Sequence, residues 1–549
     1  MEKKSLAKNS IFNMAYKGFT ALFPLITTSY VSHVLLPAGV GRVSYANTIA
    51  AYFVLIASLG LPSYGVKAIA QSNVNKEQRS RTFLELFFIN FVATVLCTIA
   101  YYLFVNHFPH FADRRPLFNV MGLMLILNIF NIDWFYQGME EYVYISVRSF
   151  IVKIASFGLM LLFVKDESDY LIYALILCIA TAGNNLWNAW NLRKYISLDG
   201  IRRSKHGIAV DTGLHIGRHM RPVMILLASS IATDIYTMLD SVMLEYYYGE
   251  TNVGYYSNAV KIVRMTYTVV IALVAVFYPR ISMCYKQKDY ETGNALINRG
   301  TQILLLLALP CVAGLMATSG YVVPLLFGKA FDPAISTLRI LSILILIFSI
   351  AYFLGHIILT ATGMEKMILR ATVTGAVVNV CANFALIPVL KQDGAAIASV
   401  LSEVVVTTIL LVHAKKYYVL KFSRHYILSL VMALLVMLAV VFGMERLIGK
   451  SPWMVLLIIV AAGIVYFAIL LLLHNEIVEK LARRCFDIVP QFPAPVNGKG
   501  CFCPPIWTFF LQNQLRALLF YGIICGRAFN DRDRFRNKLR GAPLCKIRS

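Results

Sequence analysis

A charged side chain inside a long apolar run is costly, so a sequence that keeps one there must give it a polar surrounding or a partner. Such runs contain the cations Lys17, Lys67, Lys153, Lys261 and Arg264, and the acids Asp133, Asp234, Asp240 and Glu403. Lys153 and Glu403 each lie near the middle of a run. Lys261 and Arg264 are three residues apart, which puts both on one face of a helix. If the turn before them centres near Gly249, Asp234 and Arg264 come to matching depth, and Asp240 and Lys261 nearly do. That register predicts ion pairs between neighbouring helices, which offset part of the burial cost. The balance of the set is cationic. Lys and Arg in a water-filled cleft with low-dielectric walls focus the field on an anion and bind phosphate oxygens, so the ligand class that fits is an anionic headgroup.

Plainer readings compete at most of these positions. Lys17 and Lys67 lie toward the ends of their runs and can snorkel to an interface. Asp240 with Lys261 reads equally as a structural pair between helices. Asp133 stands beside Trp134 and reads as structural rather than substrate-facing. Glu403 divides evenly between a cavity and helix-packing hydrogen bonds. Lys153 is the hardest to explain by packing alone, and a cavity role is favoured for it.

Machinery for covalent chemistry is missing from the sequence. Gly443–Ser451 imitates a phosphate loop but has five residues where that motif has four. There is no G-x-S-x-G and no His pair at metal spacing, so neither hydrolytic nor metal chemistry is indicated. His356 is isolated and reads as a polar packing residue. Cys97, Cys178, Cys284, Cys311 and Cys381 are scattered through the apolar runs and read as small packing residues.

The elements that must hold these residues are membrane helices. About 20 apolar residues are needed to cross roughly 30 Å of hydrocarbon. Fourteen runs of that kind lie near 10–36, 44–66, 83–105, 116–137, 143–163, 169–191, 221–247, 253–279, 301–326, 335–361, 368–388, 394–414, 424–444 and 452–473. Hydrophobic residues make up 58% of the 549 and charged residues 14%, with a mean hydropathy of +0.67, outside the range of water-soluble domains. Loops after even-numbered runs carry Arg79, Arg81, Arg148, Arg202, Arg203, Lys205, Lys286, Lys288, Lys366, Arg370, Lys415 and Lys416. Loops after odd-numbered runs hold only scattered cations such as Arg42, Lys165, Lys329 and Lys391. The positive-inside rule therefore predicts that the N-terminus and the end of the bundle face the cytoplasm. The same bias, with a basic tail, accounts for the net charge of +23, and no aromatic-plus-basic stripe suggests nucleic acid. The first run is too long for a signal h-region and should stay attached as a helix.

Before residue 475 no loop is long enough for a catalytic domain. The longest, about 192–220, holds the amphipathic run Ile201–His219, which is expected on the cytoplasmic membrane surface as a connector of two halves. A repeat supports that division. Val40–Ile49 and Val253–Ile262 both read V-G-x-x-S-x-A-x-x-I, one between runs one and two and the other between runs seven and eight. Six intervening crossings restore the original orientation, so the halves are expected to be parallel repeats with a site at their interface. The expected organisation is an all-α polytopic protein: a six-helix lobe over 1–205, a second over 206–420, two further helices over 421–475, and a basic, Cys-containing tail over 476–549. The two lobes would surround a central cavity.

Several motifs together resemble one family. Lys8–Asn13, Phe23–Thr27, Leu55–Lys67, Asp133–Gly138, Leu239–Leu244, Val253–Ser257, and Gly394–Ala398 leading to Glu403 are similar to Wzx-type polysaccharide flippases of the multidrug/oligosaccharidyl-lipid/polysaccharide exporter superfamily. The resemblance covers positions 8 to 475. It implies a non-enzymatic protein of the bacterial inner membrane, without cofactor, that moves an undecaprenyl-pyrophosphate-linked oligosaccharide to the outer leaflet by alternating access. It implies membrane lipids and polysaccharide polymerase or assembly proteins as partners. Coupling to H+ or Na+ would fit the superfamily, and the sequence does not identify the ion. Lys17, Lys67, Lys153, Lys261 and Arg264 are the candidates for headgroup contact. Asp240 would hold the helices that flank Gly249, and Asp133, Asp234 and Glu403 complete the polar and coupling set. The alternative on the same fold is a multidrug or cation exporter, which predicts a more acidic or apolar cavity. A sugar polymerase or ligase would need a sizeable outer loop. The tail departs from the family pattern: it has five Cys, Pro-rich runs and an apolar stretch, Pro504–Gly526, interrupted by Gln512, Asn513, Gln514 and Arg516.

Overall fold

A computed structural model describes the backbone of residues 6–72, 75–196, 215–448 and 452–479. Side chains are described for the same residues except 6–22, 182, 228–230, 232–237, 447–448 and 452–453. The tail beyond 479 and the run 201–214 lie outside the described residues.

Helices account for nearly all of it, and no strand occurs among the described residues. The first half contains α1 (Leu6–Ser58), α2 (Leu61–Ser72), α3 (Lys76–His107), α4 (Arg115–Met121), α5 (Leu123–Asn128), α6 (Asp133–Gly138), α7 (Tyr142–Phe163) and α8 (Tyr170–Asn191). The second contains α9 (Gly217–Tyr248), α10 (Glu250–Val274), α11 (Tyr278–Lys286), α12 (Tyr290–Phe327), α13 (Ala334–Tyr352) and α14 (Glu365–Ala414). Then come α15 (Arg424–Ile448) and α16 (Pro452–Leu472).

Among the described residues, eleven runs are long and apolar enough to cross a membrane. Two of them, Phe23–Ser72 and Glu365–Ala414, have 50 residues each, about 75 Å of helix if straight and so enough for two crossings. Neither is straight. Leu36 (φ 55°, ψ 177°) and Lys391 (φ 54°, ψ −133°) leave the helical region and turn the chain back. A Cβ on Gly394 would overlap the Leu386 carbonyl, although eight residues of straight helix would separate them by about 12 Å. With α9, 32 residues long, these hairpins account for the fourteen crossings read from the sequence.

Run four departs from that reading. In place of one helix over 116–137 the chain breaks into α4, α5 and α6, with 129–132 non-helical. A break at membrane depth frees carbonyls that lipid cannot satisfy. The Asn90 side chain supplies them: its Nδ2 donates to the Asn128 carbonyl at 3.0 Å and the Ile129 carbonyl at 3.1 Å.

The repeat is visible in the backbone. Leu36 and Gly249, both at positive φ, stand at the turns preceding the two copies of the motif. Asn75 caps α3 through the Gln78 N–H (2.7 Å), and Asp289 caps α12 through the Thr292 N–H (3.1 Å), at equivalent places in the two halves. One large apolar cluster joins α1, α3 to α5 and α8 to α9, α10 and α12 to α14. α15 and α16 dock on α12: Tyr426 and Tyr466 donate their hydroxyls to the Gln302 and Leu306 carbonyls at 2.6 and 3.0 Å. The segment before α15 is stapled by Asn294 and Asn298, whose amides take up the Val419 N–H, the Val419 carbonyl and the Lys421 N–H. Large apolar side chains such as Leu162, Leu428 and Val460 stay outside, as a lipid-facing surface requires.

Candidate functional site

At the centre of the second half, Asp240 is buried, 1% exposed. The α14 hairpin brings Asn383 from one arm and Ser399 from the other to this carboxylate, eight residues either side of the Lys391 turn. Ser399 Oγ donates at 2.6 Å, Asn383 Nδ2 donates at 2.6 Å, and the Tyr256 hydroxyl donates as well. Asn379 Oδ1 accepts a second bond from Asn383 at 3.0 Å, leaving Asn383 Oδ1 buried without a partner. One carboxylate among amide and hydroxyl oxygens is the donor chemistry of a hard cation such as Na+. Asp240→Asn would set an amide N–H against three donors. It is expected to cost about 1–2 kcal/mol, read as a lower unfolding midpoint in detergent; an unchanged midpoint would mean that Asp240 does not organise this cluster.

The predicted Asp240–Lys261 ion pair does not form. Neutral donors satisfy Asp240, while Lys261 Nζ donates to Asn258 Oδ1 at 3.4 Å, and Asn258 Nδ2 donates to Ser32 Oγ at 2.8 Å. Matching depth therefore did not translate into facing side chains. Arg264 is exposed, three residues on. The side chains of Lys17 and Asp234 lie outside the described residues. Lys67 is exposed on α2, and Glu403 is buried in α14. Lys153, half-buried on α7, places its Nζ 5.6 Å from the centre of the Phe23 ring on α1. The first arm of α1 is thus flanked by Lys153 at Phe23 and by Asn258 with Lys261 at Ser32, levels about 13 Å apart along the helix.

Asp133 is a fold anchor. Its Oδ1 accepts from Arg148 Nη2 at 2.8 Å and Asn188 Nδ2 at 2.5 Å, linking α6, α7 and α8. Arg148, read from the sequence as a loop cation, is buried in α7 at 1% exposure because this carboxylate and the Tyr144 ring, 5.4 Å away, receive it.

Polar clusters join the two halves at both ends of the bundle. At the end bearing the basic loops, Glu85 of α3 is fully buried. It accepts from Arg218 Nη2 at 2.5 Å and from the His215 N–H at 2.8 Å, and stands 2.8 Å from His219 Nε2. Tyr64 of α2 reaches His219 Nδ1 at 2.8 Å. His219 was expected on a membrane-surface helix. It is instead buried in the first turn of α9, because Glu85 and Tyr64 provide polar partners there. At the opposite end Glu250 accepts from Arg42 Nε (2.8 Å) and Arg114 Nη1 (3.0 Å). Glu245 accepts from the same Arg114 nitrogen at 2.6 Å and lies 3.0 Å from His110 Nε2.

The sequence reading missed both clusters. An acid nine residues into a helix that starts at a basic loop was the available signal for Glu85; Glu245 and Glu250 bracket the Gly249 turn, and their place beside it was the signal for them. A pocket of about 410 Å3, lined in part by Glu291, Arg299, Lys421 and Glu476, lies beside α12 and includes none of the sequence candidates.

The profile of the family described as "Polysaccharide biosynthesis protein" matches residues 6–285, and that of "Lipid II flippase MurJ" matches residues 208–466. A putative O-antigen transporter of Escherichia coli is 22% identical over 420 residues, 75% of this chain and 97% of that protein. A probable low-salt glycan biosynthesis flippase of Haloferax volcanii is 25% identical over 262 residues, 48% of this chain and 55% of that protein. Among solved structures, the inward closed conformation of the lipid II flippase MurJ superposes with a TM-score of 0.68 at 13% identity, over 86% of this chain and all of that one. An inward-facing MATE family transporter of the MOP superfamily gives 0.55 at 17% identity, over 74% and 97%. At these identities the superpositions speak for the fold, while the profile match spans just over half of the sequence: the chain belongs to the polysaccharide biosynthesis protein family.

Proposed function

We propose that the chain is a flippase of the bacterial inner membrane, with its basic loops in the cytoplasm, that carries an undecaprenyl-pyrophosphate-linked oligosaccharide to the outer leaflet by alternating access between two lobes. Lys153 and Lys261, with Arg264 on the same helix, would receive the pyrophosphate, and the sugar would follow inside while the lipid tail stays in the bilayer. The observation that carries this reading is the pair of half-buried cations, one from each half of the chain, flanking the first arm of α1. The names of the relatives support the substrate class: a putative O-antigen transporter and a glycan biosynthesis flippase. Asp240 and its oxygen-rich neighbours would serve a coupling cation, H+ or Na+.

Cells depleted of the chain are expected to accumulate lipid-linked precursor in the cytoplasmic leaflet and to lose surface polymer. The native gene should reverse this. Lys153→Ala or Arg264→Ala should restore less than about a tenth of the surface polymer at normal membrane abundance, as expected for loss of a charge-assisted phosphate contact. Normal leaflet distribution in the depleted host, with no second flippase present, would refute the proposal; full activity of Lys153→Ala would remove that residue from the headgroup path.

A further inference from the structure

The duplicated motif closes on itself. Gly41 and Gly254 hold the same place in its two copies, and α1 and α10 cross there backbone to backbone. A Cβ on Gly41 would overlap the Glu250 carbonyl oxygen and lie 2.7 Å from the Gly254 nitrogen. A Cβ on Gly254 would overlap the Pro37 carbonyl oxygen and lie 3.2 Å from the Gly41 nitrogen. Three residues on in each copy, Ser257 Oγ donates to Ser44 Oγ at 3.2 Å, across 213 residues of sequence. Two residues further, Ala46 and Ala259 are both buried. The glycine and the serine of one copy thus each meet their own counterpart, the arrangement of a two-fold interface between identical subunits, here inside one chain.

The rim of this contact is polar. Arg42 sits 4.7 Å from the Tyr170 ring and pairs with Glu250, which also takes Arg114. Serine hydroxyls and ion pairs are groups that water can take over when two surfaces part. A glycine-to-glycine crossing has no interlocked side chains to withdraw. The contact lies at the end away from the basic loops.

We propose that this self-matching contact is the outer gate: the repeat seals the exit by backbone fit and must separate for substrate to leave. The direction rests on the transport reading above, whereas the contact rests on geometry alone. The test is a Ser44→Cys/Ser257→Cys variant of the full chain in native membranes, with each single variant as control and the bond mapped by mass spectrometry. Under oxidant the disulfide between positions 44 and 257 is expected to form, to lower transport at least tenfold, and to release it on reduction. Failure of the cross-link to form, or full transport with it in place, would overturn the gate. A second arm uses Gly41→Val, whose branched side chain must push the helices apart. With Ser257→Cys as reporter, labelling by a membrane-impermeant maleimide added outside should be at least fivefold faster than in the Gly41 chain; equal rates would overturn the proposal. Cross-linking and faster labelling in a protein that moves no lipid-linked glycan would uphold the gate and reject the substrate assignment.

Discussion

Asp133→Ala is expected to lower the stability of the folded chain by about 3–5 kcal/mol, the usual cost of removing one partner from a buried ion pair. The loss is larger than a missing hydrogen bond because of what remains. Arg148 is 1% exposed, and two of its nitrogens, Nε and Nη1, already have no hydrogen-bond partner. Without Asp133 the guanidinium would keep, among the described residues, only the Tyr144 ring. Asn188 would lose the acceptor of its Nδ2, and its Oδ1 is already unpaired. The effect is therefore expected to be strongly non-additive. Asp133→Ala/Arg148→Met, which removes both charges and fills the space with an apolar chain, should recover most of the stability, since buried pairs replaced by packed apolar groups are often neutral. The check is a double-mutant cycle on the unfolding midpoint in detergent. Additive single and double variants would mean that the two residues are not coupled.

This pair marks where sequence reasoning stopped. Hydropathy located the crossings, because a membrane imposes a length that single residues cannot disguise. The repeat was also legible, and its glycines proved to be a contact, which motif matching alone does not reveal. Side-chain partners were not legible. Asp240 was matched by depth to Lys261, but helix rotation turned it toward Ser399 and Asn383, more than 140 residues away in sequence. Arg148 passed as a loop cation because a charge at a predicted helix edge looks solvated until the neighbouring helices are placed. Run four looked continuous because the break at 129–132 is repaired by Asn90, in a different run. Each miss concerns a polar group satisfied from another helix, which is information that periodicity does not hold.

Glu85→Ala should free the end of the bundle that bears the basic loops while leaving the opposite end shut. Glu85 receives Arg218, His219 and the His215 N–H, all on α9 or just before it, whereas Glu85 itself belongs to α3. Among the described residues its carboxylate therefore carries most of the polar attachment between the two halves there. Arg218 is 51% exposed, so screening makes its bond a weak one. The bonds from His219 and the His215 N–H are shielded and account for most of the expected change, about 3 kcal/mol at most. That shifts the closed-to-open ratio by up to about 150-fold. Hydrogen exchange by mass spectrometry should report faster exchange in α2 and in the first three turns of α9, with α15 and α16 unchanged as the control for unfolding. Glu85→Gln retains an acceptor for the His215 N–H and should fall between the two. Unchanged exchange in Glu85→Ala would show that apolar packing around Val223 and Leu61, and not the carboxylate, holds this end. The opposite end also has carboxylates, Glu245 and Glu250, but there they stand beside the backbone fit of Gly41 and Gly254, so removing one of them leaves a contact that Glu85→Ala has no equivalent of.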